Sequence, residues 1–301
     1  MTQHMMDQSA TLVPPRKILL ATDLSGRGDR ALDRATQLAG QWDAELTVVH
    51  AIEGAGLDLP EHKGLPSWRG PPDPVAYVER QIREDVRGPC PRLRVIVEEG
   101  PAIQVILATM EREAADLVVI GLGRNRAFGI GGVGRTVHEL FRRSPASVLV
   151  VKRRPNGPYQ HLLVGVDFSP ESRCGLEMAG RLLPDAAMAV MHAYELPYRG
   201  YMLDTPLGRD FGELESSTLR RFLDEADLRP EQRQRIFPLI EHGPPEAMIA
   251  AYVMERGADL TVIGAHERRL LFHMVIGGNG PRIIDTAPSD VLVVRAERPQ
   301  D

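Results

Sequence analysis

The sequence predicts an α/β protein made of two tandem Rossmann-like domains, each a five-stranded parallel sheet with helices on both faces. Three observations predict it. The chain has 301 residues, enough for two domains of about 150 residues with a core apiece. It repeats itself: Asp116-Leu-Val-Val-Ile-Gly121 recurs as Asp259-Leu-Thr-Val-Ile-Gly264, an offset of 143 residues. Within each copy, short apolar β-branched runs alternate with segments of helical periodicity. That order gives parallel strands joined by right-handed crossovers.

The same offset pairs Gly100-Pro101 with Gly243-Pro244, Gly134 with Gly277, Pro145 with Pro288, and Val148–Val151 with Val291–Val294. Upstream the register drifts by one. Asp23-Leu-Ser25 pairs with Asp167-Phe-Ser169 at 144, and His50-Ala51 with His192-Ala193 at 142. Such drift marks small loop insertions. The period is too long for a solenoid, whose units run about 20–50 residues, so it is a duplicated domain. Turn formers and charge at Arg153-Arg-Pro-Asn-Gly-Pro158 mark the linker, giving domains 15–153 and 159–296.

The elements of the first half follow in order. Lys17–Ala21 is a short apolar strand. Arg27–Gly40 carries Ala31, Ala35, Leu38 and Ala39 at helical spacing. Glu45–Ile52 is rich in β-branched residues and reads as a strand. Residues 53–74 form a long loop of Gly and Pro, and Pro74–Val86 reads as helix. Leu93–Glu98 alternates as a strand. Pro101 then sits at a helix start, where its missing N–H costs nothing. Asp116–Gly121 and Ser147–Lys152 are the last strands, with a Gly-rich loop and a helix between them. The second half repeats this order. Continuous apolar strands fit a sheet covered on both faces.

Composition narrows the function. The chain is 43% hydrophobic and 26% charged, with net charge -5. That balance argues against a general nucleic-acid binder and against a disordered acidic protein. No apolar run approaches the roughly 20 residues of a membrane span. Met1–Thr11 lacks the basic start and apolar stretch of a signal peptide. Cys90 and Cys174 lie in different halves, so neither half can hold an internal disulfide. A cytoplasmic, reduced setting is expected.

Ligands of open parallel sheets bind beyond the carboxyl ends of the strands, at the switch point. That rule gathers Asp23, Ala51 and Gly121 around one crevice and Asp167, Ala193 and Gly264 around another. The carboxylates suit a ribose hydroxyl or an adenine amino group. They equally suit a turn or a helix N-cap. His50 and His192 read as strand-end residues rather than ligands.

In this order the motifs resemble the universal stress protein family, across about residues 15 to 296. Its members open with a strand running into Asp-x-Ser and a helix, as at Ala21-Thr-Asp-Leu-Ser25 and Val166-Asp-Phe-Ser169. The second strand ends in a His-hydrophobic step, matched by His50-Ala51 and His192-Ala193. A Pro and a final apolar strand close each copy. The resemblance implies the adenine nucleotide α-hydrolase-like version of the fold and a stress-response binding module rather than a conventional enzyme. The implied cofactor is ATP or AMP, held by Asp23, Ala51, Gly121, Gly134 and Arg135 in one half and Asp167, Ala193, Gly264, Gly277 and Gly278 in the other. It also implies pairing through the last strands, so that 147–152 and 290–295 meet inside one chain as a pseudo-dimer.

The family's nucleotide signature is Gly, two residues, Gly, nine residues, Gly, then Ser or Thr. Glycines let a phosphate approach the backbone, and the helix that follows offers free N–H groups. Both copies depart from it. Gly121 and Gly134 keep the outer spacing, but Arg124 stands at the middle glycine and Arg135 at the hydroxyl. Gly264 and Gly277 do the same, with Glu267 and Gly278 at those places. Arg124, Arg126, Arg142 and Arg143 bias the first copy toward an anion, and Glu267 biases the second against a triphosphate. Two alternatives therefore stand beside the nucleotide reading: a nucleotide-independent module acting on an unknown protein partner, and a weak ATP-hydrolysing switch.

Gly26-x-Gly28-x-x-Ala31 and Gly129-x-Gly131-x-x-Gly134 match a dinucleotide fingerprint as bare patterns. The first overlaps Asp-x-Ser, and the second begins eight residues past its strand, where a tight turn is needed. Walker, nucleophile-elbow and zinc motifs are absent from the sequence. The long loops 53–74 and 195–209, with Trp68, Tyr198 and Tyr201, read as surface insertions or as a lid or docking surface.

Overall fold

A computed structural model of the chain describes residues 14–26, 28–53, 73–88, 90, 92–122, 134–195, 206–265 and 279–295. The strands are β1 (Lys17–Ala21), β2 (Glu45–Ile52), β3 (Leu93–Glu99), β4 (Leu117–Gly121) and β5 (Ser147–Val151), then β6 (His161–Gly165), β7 (Ala187–Tyr194), β8 (Ile236–His242), β9 (Leu260–Ala265) and β10 (Asp290–Arg295). The helices are α1 (Gly28–Trp42), α2 (Pro74–Asp85), α3 (Ala102–Glu113), α4 (Arg135–Arg143) and α5 (Pro170–Leu182), then α6 (Pro206–Glu225), α7 (Pro230–Gln234), α8 (Pro245–Arg256) and α9 (Asn279–Thr286). The second half departs from strict repetition by adding the short α7 ahead of β8.

The ten strands form one sheet in the order β3-β2-β1-β4-β5-β10-β9-β6-β7-β8. Neighbours within each half run parallel, and β5 and β10 pair antiparallel, Leu149 opposite Leu292. The last strands, 147–152 and 290–295, meet inside the chain as the family resemblance implies, so the two five-stranded sheets are one continuous sheet. The reason lies in the composition of β5 and β10. Val148–Val151 and Val291–Val294 are all buried. Left as edges, they would be unpaired apolar strands.

Side chains alternate between two cores. Ile18 and Leu20 face α1 and α2, while Leu19 and Ala21 face α3 and α4. The second half does the same with Leu162 and Val164 under α5 and α6, and Leu163 under α8 and α9. Both faces are therefore dry, which is why the strands are continuous apolar runs.

The repeated residues mark backbone needs. Gly100 (φ 142°) and Gly243 (φ 150°) turn the chain after β3 and β8 in a region that side chains avoid. Asp116 accepts the N–H groups of Arg16 (2.8 Å) and Lys17 (3.0 Å). Asp259 does the same for Gln160 (2.8 Å) and His161 (3.2 Å). These two aspartates fasten the chain entering β1 and β6. Asp73 caps α2 by accepting from Ala76 N, with Pro74 next in line.

A buried polar cluster joins the halves. Asp290, fully buried, accepts from Lys152 N (2.8 Å), Arg153 N (3.0 Å) and Tyr159 Oη (2.6 Å). Arg34 of α1 lies 3.6 Å from the same carboxylate and stacks over the Tyr159 ring at 3.8 Å. Lys152 donates its ammonium to Ala287 O. Burial lowers the Lys152 pKa to about 8, against an opposing pull from Asp290. Burial likewise raises the Tyr159 phenol.

Candidate functional site

Each half builds its crevice on the turn that leaves its first strand. After β1, Leu24 adopts a left-handed backbone (φ 56°), and after β6 Phe168 does the same (φ 64°). A non-glycine residue there needs support from neighbours. Asp23 supplies it: its Oδ1 accepts from Ser25 N (3.0 Å) and Ser25 Oγ (2.6 Å). Asp167 Oδ1 accepts in the same way from Ser169 N (3.1 Å) and Ser169 Oγ (2.5 Å). Ser169 then caps α5 through Ser172 N at 3.1 Å. The two aspartates are therefore turn residues whatever else they bind, and the serines are the caps.

The second strand crosses beside this turn. His50 Nδ1 lies 2.9 Å from Thr22 O, and His192 Nδ1 lies 2.9 Å from Val166 O. A carbonyl oxygen only accepts, so Nδ1 carries the proton in both rings. The His-Ala step of the sequence is thus a pin that holds the second strand's end against the first. Its repetition was the visible signal; its partner is a backbone atom, which no sequence pattern names.

In the second half the sequence-predicted residues converge. Asp167, Ala193 and Gly264 line one cleft of about 550 Å³, counted with its open mouth. Val166, Met191, Ile249, Ile263 and Ile283 supply its apolar wall, and among the described residues no Lys or Arg lines it. Gly264 is required for packing. A Cβ there would fall 2.7 Å from Ser172 N, and closer still to Glu171 O. On α5, Gly175 faces it, with its own would-be Cβ 3.3 Å from Gly264 N. The first glycine of this copy's signature therefore lets helix α5 sit against the end of β9. Gly277 and Gly278 lie outside the described residues.

In the first half, Thr22 N bonds Val49 O at 3.1 Å, and Ala21 pairs with both Val49 and Ile120. Asp23, Ala51 and Gly121 thus stand at adjacent strand ends. Gly134 is the N-cap of α4 with no side-chain cap bond, and Arg135, exposed, is the helix's first residue. Among the described residues no side chain caps the early N–H groups of α4, an end attractive to an anion. Arg124, Arg126 and Glu267 lie outside the described residues, as do Trp68, Tyr198 and Tyr201. Gly28 opens α1. A Cβ at that position would meet Thr22 Oγ1 at 2.7 Å, so this glycine of the bare dinucleotide pattern is needed for the turn.

A duplicated parallel α/β sheet with crevices at its strand ends defines a class, and comparison with known proteins gives its family. The universal stress protein family model matches residues 15–152 and again 158–295, so the chain belongs to that family, with two copies in tandem. A universal stress protein of Mycolicibacterium smegmatis is 25% identical over 323 aligned positions, covering 96% of this chain and 99% of its own length. Two solved structures share the fold over nearly the whole chain. A putative universal stress protein from Pseudomonas aeruginosa superposes with a TM-score of 0.64 at 22% identity, covering 94% of each chain. One from Archaeoglobus fulgidus gives 0.61 at 18% identity, covering 93% of this chain and 98% of its own. Membership places the chain among stress-response proteins. Among the described residues, no helix is long and apolar enough to cross a membrane.

Proposed function

We propose that this protein is a stress-response binding module that holds an adenine nucleotide, ATP or AMP, with its two lobes, 15–153 and 159–296, acting as an intrachain pseudo-dimer in the cytoplasm. What supports the reading is that Asp23, Ala51 and Gly121 stand at adjacent strand ends of the first lobe, whose α4 begins at Arg135, while their counterparts Asp167, Ala193 and Gly264 converge on one cleft in the second. In the first lobe Asp23, Ala51, Gly121, Gly134 and Arg135 take the corresponding roles. The lobes are unequal. The cationic residue at the start of α4 favours a phosphate in the first. The apolar wall and Glu267 disfavour one in the second, where Gly277 and Gly278 complete the loop.

Calorimetry of the full chain with ATP and AMP tests this. Binding that is lost in Asp23→Ala and kept in Asp167→Ala is the expected result. No binding of either nucleotide at millimolar concentration would leave the protein-partner reading in its place. Phosphate release above a buffer blank would instead favour the hydrolysing switch.

A further inference from the structure

His50 and His192 occupy the same place in the two halves, and each commits Nδ1–H to the neighbouring strand's carbonyl. What meets the rest of the ring differs. The Phe168 ring lies 4.2 Å from that of His192, tilted by 30°, and Tyr194 stacks nearly parallel at 6.3 Å. Glu215 Oε2 lies 3.5 Å from His192 Nε2. Rings and a carboxylate thus surround this imidazole.

Around His50 the counterparts among the described residues are smaller or missing. Leu24 stands at the place of Phe168, and Ile52 at that of Tyr194. Glu215 lies one turn ahead of the buried Leu219 in the 20-residue α6. The 12-residue α2 begins at Pro74, and among the described residues no carboxylate lies against His50 Nε2 as Glu215 lies against His192. Beside His50 lies a cavity of about 520 Å³, counted with its mouth, lined by residues 50–53 at the end of β2, Leu24 of the β1 turn, and Tyr77, Val78 and Gln81 of α2. His50 and Ile52 alternate with Ala51 along β2, and Ile52, Val78 and Leu24 belong to the α1/α2 core; Ala51, at the cavity's edge, packs against the opposite core. The cavity therefore opens on the α1/α2 side of the sheet.

Its chemistry is specific. With Nδ1 protonated, the neutral ring of His50 presents Nε2 as a lone-pair acceptor. Among the described residues nothing donates to it. Leu24, Ile52 and Val78 are apolar walls, and the half-exposed Tyr77 ring stands beside them. Glu53, which accepts from Ala102 N at 2.6 Å, keeps a carboxylate on the wall and disfavours an anion. The second half shows that a ring fits against this imidazole.

We infer that the first half carries a second small-molecule site, on the α1/α2 side of the sheet, for an uncharged aromatic ring bearing an O–H or N–H donor directed at His50 Nε2.

The test uses the full chain with labelled histidine rings, at pH 8 where imidazole is ordinarily neutral, and phenol as the probe. Phenol should shift the His50 Nε2 resonance and saturate. Anisole, the same ring without the donor, should bind about three- to tenfold more weakly, the worth of one hydrogen bond. Benzoate should bind more weakly still. The double variant Leu24→Phe, Ile52→Tyr transplants the second half's residues and should weaken phenol at least about tenfold. Phenol and anisole binding equally to the unaltered chain would overturn the inference. So would phenol perturbing only residues around Asp23 and Gly121, or binding undiminished to the filled variant.

Discussion

Replacing Asp290 by alanine removes the carboxylate on which both halves and the linker converge. The side chain is fully buried, and three donors point at it: the backbone N–H groups of Lys152 and Arg153 and the Tyr159 hydroxyl. Arg34, only 4% exposed, loses its ionic partner while keeping Gln37 Oε1 (2.8 Å) and Gly157 O (3.0 Å). Each stranded buried donor costs about 1–3 kcal/mol, and breaking a buried pair from one side costs about 3–5 kcal/mol overall. Asp290→Ala should therefore lose about 3–5 kcal/mol. Asp290→Asn, which keeps one acceptor oxygen in place, should lose about half as much. Equilibrium urea unfolding followed by circular dichroism measures both. Arg34→Met with Asp290→Ala completes a double-mutant cycle, in which the pair should cost less than the sum of its parts. A loss under about 1 kcal/mol for Asp290→Ala would refute the reasoning, because it would mean that the donors find other acceptors.

Three other outcomes follow from the same structure. Lys152 is held near pKa 8 when folded against an ordinary 10.5, so the unfolded chain binds the extra proton between those values. The penalty is complete below about pH 8 and is relieved as pH rises. Unfolding at pH 7.5 and 9.5 should show about 2 kcal/mol more gain for the natural chain than for Lys152→Met. Above pH 10 the raised Tyr159 phenol works the other way, since the unfolded tyrosine ionises first. Ala114 closes α3 in a left-handed conformation (φ 51°), where the repeat places Gly257 (φ 71°) in the other half. Ala114→Gly should raise stability by about 0.5–1 kcal/mol in a thermal melt. Gly264→Ala drives a Cβ into the α5 backbone and should cost about 1–3 kcal/mol or more by urea unfolding; an unchanged midpoint would show that α5 can shift away.

Much of the fold was legible because its signals are local. The apolar runs predicted β1, β2 and β4 to within a residue, and the Gly-Pro steps predicted the turns ahead of α3 and α8. The roles of the site residues were less legible. Asp23 and Asp167 were readable either as ligands or as turn residues, and their bonds to Ser25 and Ser169 supply the turn. Gly264 was readable as a phosphate-loop glycine. The helix pressed against it is far away in the chain, so its packing role could not be read from spacing. Asp290 carried no motif at all: one acidic residue ahead of Val-Leu-Val-Val says nothing about Arg34, more than 250 positions earlier.

The sequence by itself determined the duplication, the α/β class, the order of elements and the strand ends at which the candidate residues gather. Periodicity and recurring glycines are properties of neighbouring residues, so they survive in one dimension. The meeting of the last strands was implied by the family resemblance; only the tertiary structure decided their antiparallel register, that the halves are locked through Asp290, and that the two histidines stand in different surroundings. Those outcomes depend on volume, burial and charge brought together across long separations. Identical local signals, His50-Ala51 and His192-Ala193, therefore both sit at a cleft, but only His192 has aromatic rings and a carboxylate against its imidazole among the described residues.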